Sequence, residues 1–133
     1  MAKRDGRTWM VTGDGSHQLT LNELAVMGRY GIKPRIFVLN NGLYGVEDMI
    51  SERGHEYDDL AAVNYHLLPA AFGCKGWIVE RVATNAELDA ALAKIASEDA
   101  AAYIEVMIPN EESQPLPGDV IDKGYKLRTP PIG

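Results

Sequence analysis

Two polar segments that directly follow apolar runs constrain this chain more than any other feature of its sequence. The tripeptide Gly-Asp-Gly at residues 13–15 follows the apolar residues 9–11, and the pair Asn-Asn at residues 40–41 follows the apolar residues 36–39. Short apolar runs of this kind are typical of buried parallel strands. In a parallel α/β sheet, ligands collect beyond the carboxyl ends of neighbouring strands. We therefore expect the two polar segments to meet in space.

The elements predicted along the chain alternate between strands and helices. A capping box at Thr20 and Glu23 predicts the start of a helix that ends at Gly31, and a second one at Thr84 and Glu87 predicts another. A further helix is predicted over residues 59–72. Strands are predicted at residues 8–12, 35–39, 77–79 and 102–108. This order predicts an α/β fold, a doubly wound and mostly parallel sheet with helices on both faces.

The length of 133 residues fits one domain with an independent core. We predict that this domain covers residues 1–109. Residues 110–133 carry four prolines, which break regular elements, so an extended tail is predicted there. That tail could lie over the domain or over a second subunit, and disorder is the open alternative.

Charge and composition exclude several classes of function. The net charge of −6, without a basic run to offset it, argues against a nucleic-acid partner. No apolar run approaches membrane-spanning length, and no signal peptide is recognised. The single cysteine, Cys74, excludes an internal disulfide and is expected to be a buried apolar residue in a reducing compartment. We expect a cytoplasmic protein.

The two polar segments carry the oxygen ligands that a magnesium ion bound to a diphosphate requires. Asp14 and Asn41 supply a carboxylate and an amide oxygen, and phosphates with water would complete the octahedron. Gly13 and Gly15 allow the backbone to approach a phosphate, to which the amides of Gly15 and Ser16 can donate. The alternative is that both segments are turns that merely end two strands. The spacing of His17, His55 and His66 does not suit zinc, so surface or hydrogen-bonded roles are expected.

The sequence GDGSHQLTLNELAVMGRYGIKPRIFVLNNGLYGVED closely resembles the diphosphate-binding domain of thiamine-diphosphate-dependent 2-oxo acid decarboxylases, in particular the pyruvate and indolepyruvate decarboxylase branch. The resemblance continues through residues 55–57, 67–73, 81–84 and 104–109, so it covers the chain from about Arg7 to Pro109. It implies the thiamine-diphosphate-binding fold, with thiamine diphosphate and Mg²⁺ as cofactors.

The resemblance also implies roles for individual residues. Asp14 and Asn41 would be side-chain ligands of Mg²⁺, and Leu43 would offer its backbone carbonyl, at a place where relatives commonly have glycine. Glu47 would be the catalytic carboxylate near the reactive thiazolium carbon, a role that requires a raised pKa. Its alternative role is that of a solvated carboxylate in the first turn of a helix. Gly15, Ser16, Tyr44 and Val46 would lie along the diphosphate and thiazolium side of the cofactor. The full set of expected cofactor-binding residues is Gly13, Asp14, Gly15, Ser16, Asn41, Leu43, Tyr44, Gly45 and Val46.

Enzymes of this family are much longer and build each active site between two domains from different subunits. The pyrimidine-binding domain, with the glutamate that activates the aminopyrimidine ring, has no counterpart in this sequence. With twelve residues before Gly13, the domain itself is expected to be truncated at its N-terminus. Such a truncation would remove two or three charge-assisted hydrogen bonds to the cofactor. Their loss would weaken cofactor binding by about two to six powers of ten.

An open sheet edge predicts a partner that covers it. A homodimer is expected first, and a separate chain that carries the pyrimidine-binding domain is a further possible partner. Decarboxylation would require such a partner. The alternative function is that of a non-catalytic oligomerising or interaction protein that retains the fold and the motif. A generic nucleotide binder is disfavoured, because the sequence has neither a P-loop with its lysine nor a dinucleotide fingerprint.

Overall fold

A sheet of four parallel strands forms the centre of the computed structural model, which describes residues 7–50 and 56–109. The strands are β1 (Trp9–Gly13), β2 (Arg35–Asn40), β3 (Ile78–Val82) and β4 (Ala102–Met107), and they lie in the order β1-β2-β4-β3. The register pairs Gly13 with Leu39 and Asn40 with Met107. The carboxyl ends of β1, β2 and β4 therefore share one edge of the sheet.

Short helices connect the strands in the described part of the chain. They are α1 (Asp14–Gln18), α2 (Glu23–Arg29), α3 (Gly45–Ile50), α4 (Leu68–Ala71) and α5 (Asn85–Ser97), with 3-10 turns at Glu56–Asp58 and Tyr65–Leu67. The predicted capping box at the start of α5 is confirmed. Thr84 Oγ1 accepts a hydrogen bond from the Glu87 amide at 3.3 Å, and Glu87 Oε2 accepts one from the Thr84 amide at 3.0 Å.

The apolar residues of the sheet divide into two cores, one on each face. Successive side chains of a strand point to opposite faces. On one face, Phe37 and Ile104 pack with Ile95 of α5. On the other face, Val38 and Tyr103 pack with residues of α2 and of the turn before α4. Both faces of the central strands are covered, so the predicted doubly wound α/β fold is confirmed.

The predicted capping box at Thr20 is wrong. Helix α2 begins only at Glu23, after Asn22, and no side chain caps it. The Thr20 amide donates to the His17 carbonyl at 3.0 Å, and the Thr20 carbonyl accepts from the Glu23 amide at 3.0 Å. These turns carry the chain from α1 directly into α2, whose N-cap residue is Asn22 and not Thr20.

The predicted helix over residues 59–72 is wrong in its first half. Asp59 forms an antiparallel bridge with Leu43, and the Leu60 amide donates to the Gly42 carbonyl at 2.9 Å. These backbone hydrogen bonds to the loop after β2 replace the bonds that a helix would form there. Helical structure is confined to the 3-10 turn Tyr65–Leu67 and to α4.

Strand β1 lies at one edge of the sheet, and one of its faces is largely uncovered in the described part of the chain. Trp9 is 54% exposed and Val11 is 66% exposed. Both share a face with Phe37, on which the Trp9 ring stacks at a centroid distance of 5.6 Å. Helix α5 packs on β3 and β4 of this face. An apolar surface therefore adjoins an open strand edge.

The helices described in residues 7–50 and 56–109 are all too short or too polar to cross a membrane. The predicted extended tail over residues 110–133 lies outside the described residues, as do residues 51–55 of the charged segment after α3.

Candidate functional site

Asp14 joins the two polar segments at the shared edge of the sheet. It is the first residue of α1, directly after β1, and only 2% of it is exposed. Its Oδ1 accepts a hydrogen bond from the Gly15 amide at 2.9 Å, and its Oδ2 accepts one from the Gly42 amide at 2.7 Å. The prediction that the two segments meet in space is confirmed.

The loop after β2 takes its shape from Asn41 and Gly42. Gly42 has a φ of +70°, a conformation that other residues adopt only with strain. The Asn41 Oδ1 accepts a hydrogen bond from the Leu43 amide at 3.2 Å, which is a local turn that asparagine favours. Together these two residues turn the chain back toward Asp14 as soon as β2 has ended.

Residues 58–60 hold the other side of this loop. The Tyr44 amide donates to the Asp58 carbonyl at 2.8 Å, and the Leu60 amide donates to the Gly42 carbonyl. Helix α3 then begins at Gly45 and carries Val46, which is 57% exposed, and Glu47, which is half-buried. The predicted site residues from Asn41 to Glu47 thus lie on one short stretch of chain that runs from the end of β2 into the first turn of α3.

Gly15 is in close contact with the Tyr44 side chain. A Cβ atom added to Gly15 would lie 2.5 Å from Tyr44 Cε1 and 3.3 Å from Leu60 Cδ1. Only a residue without a side chain fits between α1 and this ring. Gly15 of the first segment and Tyr44, which follows the second segment, therefore pack directly against each other.

The Asp14 carboxylate retains acceptor capacity after its two hydrogen bonds. A carboxylate has about four lone-pair sites, and each oxygen of Asp14 receives one amide N–H. Among the described residues, no three of the types His, Cys, Asp and Glu come together as a metal cluster. One carboxylate with amide and carbonyl oxygens is a donor set that suits Mg²⁺ when phosphates supply further ligands.

Two hydrogen-bonded pairs connect α1 to other elements, a buried pair with β4 and a partly buried pair with the 3-10 turn before α4. His17 is 2% exposed, and its Nε2 lies 2.8 Å from the Tyr103 hydroxyl. Gln18 Nε2 donates to the Tyr65 hydroxyl at 2.7 Å. His17 Nδ1 has no hydrogen-bond partner in the described structure. Burial lowers the pKa of His17 below its ordinary value of 6.5, because the charged ring would lose its hydration.

We expect His17 to make the stability of the fold depend on pH. Its pKa is lower in the folded state, so below pH 6.5 the unfolded state binds more protons and the free energy of unfolding decreases. The slope would be at most about 1.4 kcal/mol per pH unit for one proton. In His17→Phe this part of the slope should be absent. Urea unfolding of both proteins at a series of pH values measures the difference, and equal slopes would contradict the prediction.

A buried glutamate, which the sequence did not single out, lies close to the site. Glu105 of β4 is 1% exposed. Its Oε1 accepts from Asn40 Nδ2 at 2.7 Å, and its Oε2 accepts from the His66 amide at 3.1 Å and lies 2.5 Å from His66 Nδ1. The signal that could have identified Glu105 in the sequence is its charge inside the otherwise apolar run 102–108.

Comparison with known proteins adds sequence matches to this geometry. The family described as "Thiamine pyrophosphate enzyme, C-terminal TPP binding domain" matches residues 1–106, where TPP is thiamine pyrophosphate, another name for thiamine diphosphate. An alpha-keto-acid decarboxylase of Mycobacterium tuberculosis is 36% identical over 122 residues, which are 91% of this chain and 22% of that protein. The protein of the same name from Mycobacterium ulcerans is 33% identical over 122 residues, with the same coverage.

A yeast protein gives a shorter match of higher identity. Pyruvate decarboxylase isozyme 3 of Saccharomyces cerevisiae is 40% identical over 84 residues, which are 63% of this chain and 15% of that protein. The chain thus spans less than a quarter of the length of each of these relatives.

Proposed function

This chain belongs to the thiamine pyrophosphate enzymes, as a C-terminal TPP-binding domain related to alpha-keto-acid and pyruvate decarboxylases, and on this premise we propose that it binds thiamine diphosphate through Mg²⁺. With a partner that supplies the pyrimidine-binding domain, it would take part in the non-oxidative decarboxylation of a 2-oxo acid.

The contact between Asp14 and Gly42 is the observation that carries this proposal. It brings the Gly-Asp-Gly segment and the Asn-Asn segment together around a buried carboxylate. A buried carboxylate is costly unless it is compensated. Two amide donors compensate Asp14 in part, and its free lone pairs suit a divalent cation.

Each predicted site residue has a role in this proposal. Asp14, Asn41 and the carbonyl of Leu43 would hold Mg²⁺. Gly15 and Ser16 would lie along the diphosphate, and Tyr44, Gly45 and Val46 along the thiazolium ring. When bound, the cofactor would supply a thiazolium ring that takes up the electron pair left behind when carbon dioxide departs.

Glu47 would exchange a proton with the reacting group through its carboxyl oxygens. It lies in the first turn of α3, three residues beyond Tyr44, and is half-buried. A general acid or base must be within hydrogen-bond distance of the proton that it transfers. The short connection from the Asn41 loop to α3 supports this placement.

We propose a second copy of the chain as the first partner. Trp9 and Val11 form an apolar surface beside the open edge of β1, a combination that favours association with another protein surface. A separate chain with a pyrimidine-binding domain would be the further partner needed for turnover.

Titration of the isotope-labelled protein with thiamine diphosphate and Mg²⁺ tests the proposed function. In nuclear magnetic resonance spectra we expect the Gly42 and Gly15 amide signals to shift, because both amides donate to Asp14. A chelator should abolish the shifts, since the metal links the diphosphate to the carboxylate. Thiamine without the diphosphate serves as the matched control and should cause no shift. Unchanged signals at millimolar cofactor and metal would contradict the proposal.

The exposed apolar surface of β1 favours one alternative function. A non-catalytic oligomerising protein would use Trp9 and Val11 for association and would retain the Gly-Asp-Gly segment as inherited structure. Analytical ultracentrifugation, together with the titration above, separates the two functions. Concentration-dependent association without any cofactor-induced shift would support the alternative.

A further inference from the structure

Glu105 is a buried carboxylate to which the proposed cofactor chemistry gives no role. It lies on the central strand β4 and is 1% exposed. Burial alone would raise the pKa of Glu105, but hydrogen bonds from His66 and Asn40 outweigh burial and hold it below its ordinary value. The residue is therefore charged at neutral pH, although it lies inside the fold.

The partners of Glu105 come from three separate parts of the chain. Its Oε2 accepts a hydrogen bond from the backbone amide of His66, in the turn before α4, and also contacts His66 Nδ1. Its Oε1 accepts a hydrogen bond from Asn40 Nδ2 at 2.7 Å. The Arg81 Nε lies 3.8 Å from Oε2, but the Arg81 side chain is 49% exposed, so water weakens this ion pair. The bond to Asn40 is the link from Glu105 toward the candidate site.

Asn40 is the last residue of β2 and directly precedes Asn41. Beyond it, the Gly42 amide donates to Asp14 and the Leu43 amide donates to Asn41 Oδ1. Residues 58–60 hold the far side of the loop. The loop thus has two side-chain anchors: Asp14 holds its central residue, Gly42, and Glu105 holds its start through Asn40.

We propose that Glu105 is a positioning residue that acts through Asn40 to hold the loop of Asn41, Gly42 and Leu43 in the geometry required for Mg²⁺. This inference rests on the proposed function. Replacement of a buried ion pair by apolar residues is often neutral or stabilising, so stability alone does not account for a buried charge here. Mg²⁺ requires nearly ideal octahedral geometry, whereas Ca²⁺ accepts flexible coordination. A positioning residue should therefore matter more for Mg²⁺ than for Ca²⁺.

Hydrogen exchange in the metal-free protein tests the link directly. Asn40→Asp would place a second carboxylate against Glu105, and we expect the Gly42 and Leu43 amides to exchange about tenfold faster relative to the amides of β2. The double variant Asn40→Asp with Glu105→Gln reverses donor and acceptor, because glutamine can donate to the new carboxylate. It should return both rates to within about threefold of wild type.

Glu105→Gln alone should change the loop little, since the Asn40 amide can turn over and accept from glutamine. Glu80→Gln is the control for loss of a glutamate on the neighbouring strand β3, where Glu80 pairs with Lys94 at 2.6 Å. Unchanged exchange in Asn40→Asp, or a double variant that is no slower than Asn40→Asp, would overturn the proposal.

Metal titration gives a second readout that a general loss of stability would not move. In Asn40→Ala, the affinity for Mg²⁺ in the presence of thiamine diphosphate should fall about tenfold, the scale of outer-shell effects on metal sites. The affinity for Ca²⁺ should change less than about threefold, because its coordination adapts. Equal losses for both ions would overturn the positioning role. If the wild type binds neither ion, the proposed function fails, while the exchange rates still decide whether Glu105 holds the loop.

Discussion

Replacement of Asp14 by alanine is expected to abolish metal-dependent cofactor binding. The variant loses the buried carboxylate that the proposal assigns to Mg²⁺, and loss of one partner of a buried ion pair costs about 3 to 5 kcal/mol. This corresponds to about two to four powers of ten in affinity. The Gly15 and Gly42 amides also lose their acceptor, at about 1 to 3 kcal/mol each if they stay buried and unpaired. Calorimetric titration with thiamine diphosphate and Mg²⁺ measures the first effect, and urea unfolding measures the second.

Asp14→Asn separates these two effects. Asparagine keeps the shape of the side chain and one acceptor oxygen but has no negative charge. We expect a smaller loss of stability than in Asp14→Ala, with metal-dependent binding still strongly reduced. Asp89→Ala is the matched control, because Asp89 is an exposed aspartate on α5 that should affect neither measurement. Binding by Asp14→Asn equal to that of the wild type would show that the carboxylate charge does not hold the metal.

Replacement of Gly15 by alanine is expected to destabilise the fold by about 1 to 3 kcal/mol, the usual cost of an added methyl group in a packed position. The new Cβ would lie 2.5 Å from Tyr44 Cε1, so the ring must move away from α1. That movement would shift the start of α3, which begins at the next residue, Gly45. Cofactor binding should therefore decrease together with stability. Urea unfolding and calorimetric titration of the same preparation measure both changes.

A double-mutant cycle tests whether the Tyr44 ring causes the loss of stability in Gly15→Ala. In the Tyr44→Ala background the ring is absent, and the remaining contact of 3.3 Å to Leu60 Cδ1 is less severe. There the cost of Gly15→Ala should fall below about 1 kcal/mol, which gives a coupling energy typical of residues in contact. Gly13→Ala is the stability control, because its Cβ would meet no atom within 4 Å and its φ is −75°. Additive effects of Gly15→Ala and Tyr44→Ala would mean that the ring is not the obstacle.

The strands and the position of the site could be predicted from the sequence because they depend on local patterns. Short apolar runs predicted all four strands to within a few residues. The meeting of the two polar segments, which the contact of Asp14 with Gly42 confirms, followed from the rule that parallel strands end at one edge. The capping box of α5 also needs only residues three positions apart.

The errors arose where distant parts of the chain decide the local structure. Residues 59–64 have apolar spacing that suits a helix, but Leu60 instead donates to the Gly42 carbonyl, a bond that no local pattern encodes. Thr20 and Glu23 have the spacing of a capping box, yet the tight turn after α1 gives the backbone another conformation. The role of Glu105 depends on its partner Asn40, which is 65 positions away in the sequence.

The strand order has a consequence for the course of folding. Strand β4 is the last of the four described strands in sequence, but it lies between β2 and β3 in space. Parallel strands pair only across long connections, and such contacts form slowly. While a ribosome is still synthesising β4, β3 lacks its neighbour in the sheet, and Asn40 lacks the glutamate that binds it. The candidate site is therefore completed late, when the central strand inserts.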